Sequence, residues 1–318
     1  MKNKLIYIII GIIIGFSSAV IAESINSSEV LYDNSNSSSN SENVQETLDN
    51  LYNIVDHSNV VFSLLERNPS KLSTQLVWGL YRYQGVQDAN NNVDNYICFG
   101  TTNKNTCTGD TDTYMYRIIG INTNGQMKLI KKEALNTAYK WNSSSGVDWA
   151  HSELYTGLND SYFLTNTTYV PDSSWSNRIV ASDWHYWTGN SANMDAATMA
   201  STELGAETVN AKIGLMYLHD YYYGLEGGNN CSSSGAYRTC KTSWLYFSNN
   251  DASAPLENEW TISRHDTSST WYVYSKYGEV INNGMTFTLS VRPVFYLRSR
   301  ERIASGSGTI TDPYVLSA

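Results

Sequence analysis

The sequence predicts an α+β fold. Short strand-like runs outnumber helical ones, the two interleave irregularly, and long polar loops separate them. At 318 residues the chain has room for one large domain or two small ones. Composition divides it into 1–22, 23–42, 43–75 and 76–318, the last holding the folded domain.

Lys2 and Lys4 precede an almost charge-free apolar run, Leu5 to Ala22. Its small-residue end around Ser17, Ser18 and Ala19, with Val20 and Ala22, fits a signal peptide cut after Ala22. The run is also about 18 residues long, the lower limit for a membrane anchor. Both readings place residue 23 onward outside the cytoplasm. Residues 23–42 are too polar to bury a core and read as a tether. In the 43–75 helical linker, Asn43 offers a cap, Glu46 follows three residues later, and Val44, Leu48, Leu51 and Val55 recur at helical spacing. That amphipathic segment, 43–56, is where an oligomer would form, but it is too short to hold one alone.

From Leu80 the pattern becomes strand-like. Leu80–Tyr83 and Tyr96–Phe99 are short alternating runs. Tyr114–Ile121 and Gln126–Lys131 flank Asn124-Gly125, a strong hairpin signal because that dipeptide accepts positive φ. A helix is expected over Ser152–Phe163, capped by Ser152 with Leu154, Leu158 and Tyr162 on one face. A short helix is expected near Ala196–Leu204. Ile213–Tyr217 is an apolar run that ends in His219, Asp220 and three tyrosines. Further strands are expected at Trp244–Phe247, Trp260–Ser263, Trp271–Tyr274, Phe287–Leu297 and Tyr314–Leu316.

The charged fraction is only 16%, against 24 Tyr and 9 Trp. A net charge of −9 argues against nucleic acid or an anionic membrane surface as partner, since both need a basic patch. Lys128, Lys131 and Lys132 share one hairpin and read as a solvated face. The four cysteines form two close pairs, Cys98 with Cys107 and Cys231 with Cys240. Outside the cell this spacing reads as two local disulfides, although four cysteines allow three connectivities. A zinc site needs closer ligands than these.

Signals for enzymatic chemistry are weak. The five histidines show no His-x3-His spacing, and there is no phosphate-cradling glycine loop. No cofactor is expected. Ca²⁺ is the one metal considered, through Glu257 and Glu259, where the hard-oxygen cage is incomplete. The aromatic clusters carry the binding reading. Trp184, Tyr186 and Trp187 fall in a loop-rich stretch, while Tyr272 and Tyr274 share one face of a candidate strand opposite Trp271 and Val273. Such rings suit stacking on sugars or anchoring a protein, although filling a loop-rich core is their commoner role. Asp220 beside His219 is a candidate orienting group, read also as a hydrogen-bonded pair at a sheet edge. Arg292, before Pro293, reads as structural.

The succession Tyr116–Gly120, Lys128–Ile130, Leu158-Asn159, Ile213–Tyr217 with Asp220-Tyr221, Trp260–Ile262 and Val291–Leu297, closed by Ser305–Thr309 and Asp312–Tyr314, resembles a family of exported proteins of Gram-positive bacteria. That family carries a domain of unknown function, DUF6273, related to the C-type-lectin-like fold. The resemblance spans about residues 76–318, with short motifs whose order and spacing carry it. It implies small twisted antiparallel sheets, flanking helices and a large irregular loop region that displays the binding surface. C-type lectins, formylglycine-generating enzymes and ligand-binding proteins of diversity-generating retroelements share that fold, and fold alone confers none of their activities. An oxidase of the sulfatase-activating type would need free reactive cysteines.

The expected function is therefore a non-enzymatic extracellular or cell-surface binding protein that recognises a glycan or a protein through loop-borne aromatic residues. A structural subunit of a surface appendage is the alternative.

Overall fold

In the computed structural model of the protein, Asn124-Gly125 does close a hairpin. Gly125 alone takes a positive φ (75°), its N–H donates to Asn122 O, and Asn122 N–H donates to Gln126 O across a three-residue loop. The structure describes residues 64, 71–73, 75–86, 93–108, 113–225, 231–234, 237–246, 258–274, 277–299 and 301–318, all within one unit, Asp56–Ala318. The leader, the tether, the 43–56 helix and Glu257 lie outside the described residues. Among the described residues no helix is long and apolar enough to cross a membrane. Leu72 is buried and bridges Tyr83, so the packed unit begins before residue 76.

The architecture is mixed and mostly strand. Along the chain run β1 (Leu80–Arg82), β2 (Tyr96–Cys98), helix α1 (Lys104–Cys107), β3 (Met115–Asn122), β4 (Met127–Lys131) and β5 (Tyr139–Lys140). Next come α2 (Glu153–Leu158), α3 (Ser173–Ser176), β6 (Ile179–Val180), β7 (Ser182–His185), α4 (Ala196–Leu204), β8 (Thr208–Ala211), β9 (Ile213–Gly214) and α5 (Leu218–Tyr223). The remaining strands are β10 (Ser232–Ser234), β11 (Tyr237–Thr239), β12 (Glu259–Arg264), β13 (Ser269–Tyr274), β14 (Glu279–Gly284), β15 (Thr288–Leu289), β16 (Val294–Leu297), β17 (Ile303–Ser305) and β18 (Tyr314–Leu316).

A nine-stranded sheet runs β17-β18-β2-β3-β4-β16-β6, with β1 also on β3 and β9 also on β16. Every residue from Met115 to Ile121 is buried, so both faces of its centre are covered. A second, five-stranded sheet runs β10-β11-β14-β13-β12, and two-stranded ribbons pair β15 with β5 and β7 with β8. Both cysteine pairs are bonded, Cys98 to Cys107 and Cys231 to Cys240, with Cα separations of 5.8 and 4.6 Å.

Helix α4 has the bounds read from the sequence, and Asp195 caps it by accepting from the N–H groups of Ala197 and Thr198. Ser152 caps α2 through Tyr155 N–H, but the helix stops at Leu158, well short of Phe163. Asn159 ends it by pairing its amide with both backbone groups of Ile213. The 287–297 run splits into β15 and β16, because Pro293 has no N–H to donate and Arg292 turns its side chain inward to Glu259. Trp244 and Leu245 occupy a buried turn rather than a strand.

Eight of the nine tryptophans are buried, so the rings build the core. Trp184 lies flat against β9: a Cβ on Gly214 would come within 2.3 Å of its ring. Gly214→Ala is therefore expected to cost about 1–3 kcal/mol through overpacking. A thermal melt of the variant checks this, and an unchanged midpoint would show that the ring moves aside freely.

Candidate functional site

The sequence-predicted residue Asp220 leads into the interior. Helix α5 is buried along its whole length, and Asp220 in its first turn accepts from Arg82 Nη1 at 2.7 Å, from Lys128 Nζ at 2.5 Å and from its own cap, Tyr217 N–H, at 3.2 Å. Glu203 of α4 accepts four donors: the N–H groups of Leu218 and His219, His219 Nδ1 at 2.7 Å and Ser263 Oγ at 2.7 Å. None of Arg82, Lys128, Glu203, His219 and Asp220 is more than 2% exposed. Lys128 Nζ also faces the Tyr217 ring at 4.3 Å and those of Trp184 and Tyr296 at 5.7 Å. Burial works to raise the Asp220 carboxyl, but Lys128 and then Arg82 hold it well below the usual carboxylate range. Burial pushes the His219 imidazole below its ordinary value, against the pull of Glu203 and Asp220.

This cluster joins β1, β4, α4, α5 and β12, and its charges are mutually satisfied. Its chemistry is that of a structural clamp. It also corrects three expectations. Lys128 and Lys131 are buried, not a solvated face, because the hairpin carrying them lies at the centre of the main sheet. Asp220 and His219 lie in a helix, not at a sheet edge. Trp184, with no exposed surface, donates its indole N–H to Ala211 O. Trp187 is also buried, as are Tyr272 and both Trp271 and Val273 on the opposite face of β13, so that strand is covered on both faces from Thr270 to Val273. Glu259 is no surface charge. Arg292 Nε and Nη2 engage both its carboxylate oxygens at 2.9 and 2.8 Å, which removes it from any Ca²⁺ cage. Burial pushes that carboxyl up against the pull of Arg292.

Tyr186 and Tyr274, the other two predicted residues, reach partly into solvent. Tyr186 donates to Glu207 at 3.2 Å. Tyr274 belongs to a graded row that starts in the core. Trp260, Tyr272, Tyr274 and Tyr277 meet edge to face in sequence, with centroid separations of 6.1, 6.4 and 5.5 Å. Exposure rises along it, from the buried Trp260 to Tyr277 at 40%, over which Lys241 Nζ stands at 5.3 Å.

Helix α5 braces this rim. The Tyr221 hydroxyl donates to Gly278 O at 2.9 Å and Cys240 O at 3.2 Å, and Cys240 N–H donates to Gly278 O at 2.9 Å. Tyr223 on the same helix accepts from Trp78 Nε1 at 2.9 Å. Trp78 is the exposed tryptophan, held at φ 51° in a tight Val77–Leu80 turn with Gly79 at φ 78°. Sequence reasoning missed Tyr277 and Lys241; the signal was Tyr277-Gly278, a turn after the strand it had already found.

No family model, curated protein or solved structure matches this chain. The likeness to exported C-type-lectin-like proteins thus rests on the residues quoted above. One further constellation has the look of chemistry. His265 lies beside Asp266 and Ser269, but both oxygens meet the same ring atom, Nδ1, at 2.8 and 2.9 Å. A serine on the same nitrogen as the carboxylate cannot pass its proton through the ring, and Asp266 caps the turn by accepting from the N–H groups of Ser268 and Ser269.

Proposed function

We propose that the protein is a non-enzymatic extracellular binding protein, of the C-type-lectin-like kind its motifs resemble, that holds a glycan against the Tyr274–Tyr277 corner. The carrying observation is the aromatic row that begins at buried Trp260 and ends at exposed Tyr277 beneath Lys241. A ring already fixed by neighbours and by the Tyr221 brace loses little freedom on binding, so its exposed part can pack on a sugar ring while Lys241, which stands over it, addresses hydroxyl or acidic groups. Both disulfides are formed, as an oxidising compartment outside the cytoplasm requires, and the leader supplies the route there as a cut signal or as a surface anchor. All four cysteines are paired, which leaves a sulfatase-activating oxidase without its thiols.

The test is binding of the exported protein to a glycan panel, repeated with Tyr277→Ala. A loss of about 2 kcal/mol in affinity, roughly thirtyfold, is expected for removal of a central aromatic anchor, with no change in the melting midpoint. Glycan binding that survives Tyr277→Ala undiminished, or capture of proteins and no glycan, would end this reading.

A further inference from the structure

We propose that His219 is an acid-sensing pin whose protonation loosens the Tyr277–Gly278 rim through helix α5. This proposal names a regulation of the binding corner and rests on that reading for its biological sense, although the coupling itself is a property of the fold.

Charge counting comes first. Arg82 and Lys128 balance Glu203 and Asp220, two against two, all at 2% exposure or less. That balance holds only while the His219 ring, 1% exposed, is neutral. Glu203, already accepting three other donors, requires Nδ1 to carry the ring's proton. Nε2 is then the basic atom, and it faces Asp220 Oδ1 at 3.8 Å. Adding a proton there leaves one uncompensated positive charge in the interior. It also makes Nε2–H a competitor for the oxygen that now pairs with Arg82 Nη1 at 2.7 Å.

The groups facing the ring come from every element packed on it. They are Glu203 from α4, Asp220 from α5, Arg82 from β1, and Tyr217, stacked on the imidazole at 4.9 Å and 14°, while Lys128 from β4 faces Asp220 and Glu203. Tyr296 from β16 faces Asp220 in turn. None of them supplies a spare negative charge.

The link outward is short. Two residues beyond His219, Tyr221 holds the carbonyls of Cys240 and Gly278, and Gly278 follows Tyr277 directly. A shift of α5 that relieves the excess charge therefore slackens the turn presenting Tyr277. The direction is fixed by linkage. With the folded imidazole below its ordinary value, the rim is firm above about pH 6.5 and loosens as pH falls below it.

The experiment needs no ligand, so its failure and the failure of the glycan reading are distinct. Hydrogen exchange of the Cys240 amide, which donates to Gly278 O, is followed in the full protein from pH 7.5 to 5 after correction for intrinsic exchange. A severalfold loss of protection is expected in the wild type and none in His219→Gln, which keeps a neutral donor near Glu203. Equal loss in both proteins, or constant protection in the wild type, overturns the proposal. If the variant fails to fold, the wild type decides: the Cys240 amide must lose protection over the same pH range in which the His219 ring signals move in an NMR titration, and a loss in a different range, or His219 signals that do not move, overturns the proposal.

Discussion

Asp220→Ala is expected to destabilise the protein by about 3–5 kcal/mol, because it leaves two buried cations without their shared counter-charge. Arg82 and Lys128 are fixed in place by β1 and β4 and cannot swing out to water. For a domain of this size the loss corresponds to a melting midpoint roughly 10 °C lower. Denaturant unfolding measures it directly, and a cost under about 1 kcal/mol would mean the cluster relaxes or hydrates. Acidity acts on the same residue. The folded Asp220 carboxyl lies below its unfolded value, so its contribution is complete above about pH 4 and is lost as pH falls further. That acid step is separate from the His219 effect, which begins at higher pH.

Trp184→Ala carries the second large effect, also about 3–5 kcal/mol, the range for emptying a tryptophan site in a core. The ring fills the space between Gly214, Tyr217, Tyr296 and Lys128, and its truncation also removes the indole hydrogen bond to Ala211 O. Tyr186→Ala, two residues along, removes a partly exposed ring at the edge of the core and is the comparison, with a clearly smaller cost, about 1 kcal/mol. Equal stability of the two variants would show that Trp184 is dispensable to packing and reopen its role as a ligand contact.

How much was legible depended on range. Asn124-Gly125, the Ser152 cap, the 196–204 helix and the strand at Tyr314 are set by residues within a few positions of one another, and reading in short windows finds them. The clamp is different. Lys128 meets its carboxylate 92 positions away and Arg82 meets the same one 138 positions away. A lysine on a hairpin has no local mark that tells burial from exposure. For the same reason Glu259 looked like surface until Arg292, 33 positions on, was placed beside it. The aromatic residues failed in the other direction. A Trp-rich loop invites a binding role, yet a chain with modest aliphatic content spends those rings on its interior, which leaves Tyr274 as the predicted ring that reaches Tyr277 at the surface.

Strand β18 lies inside the main sheet, between β17 and β2, and runs parallel to β2 more than two hundred positions earlier. A barrier to assembly is therefore the pairing of two segments so far apart along the chain. Until β18 docks, β2 keeps an open edge on that side, whereas local units such as the Cys98–Cys107 loop can close without it. Such non-local pairing makes folding slow and prolongs the time that apolar strands stand uncovered. The main sheet is thus complete only when Tyr314–Leu316 has docked between β17 and β2.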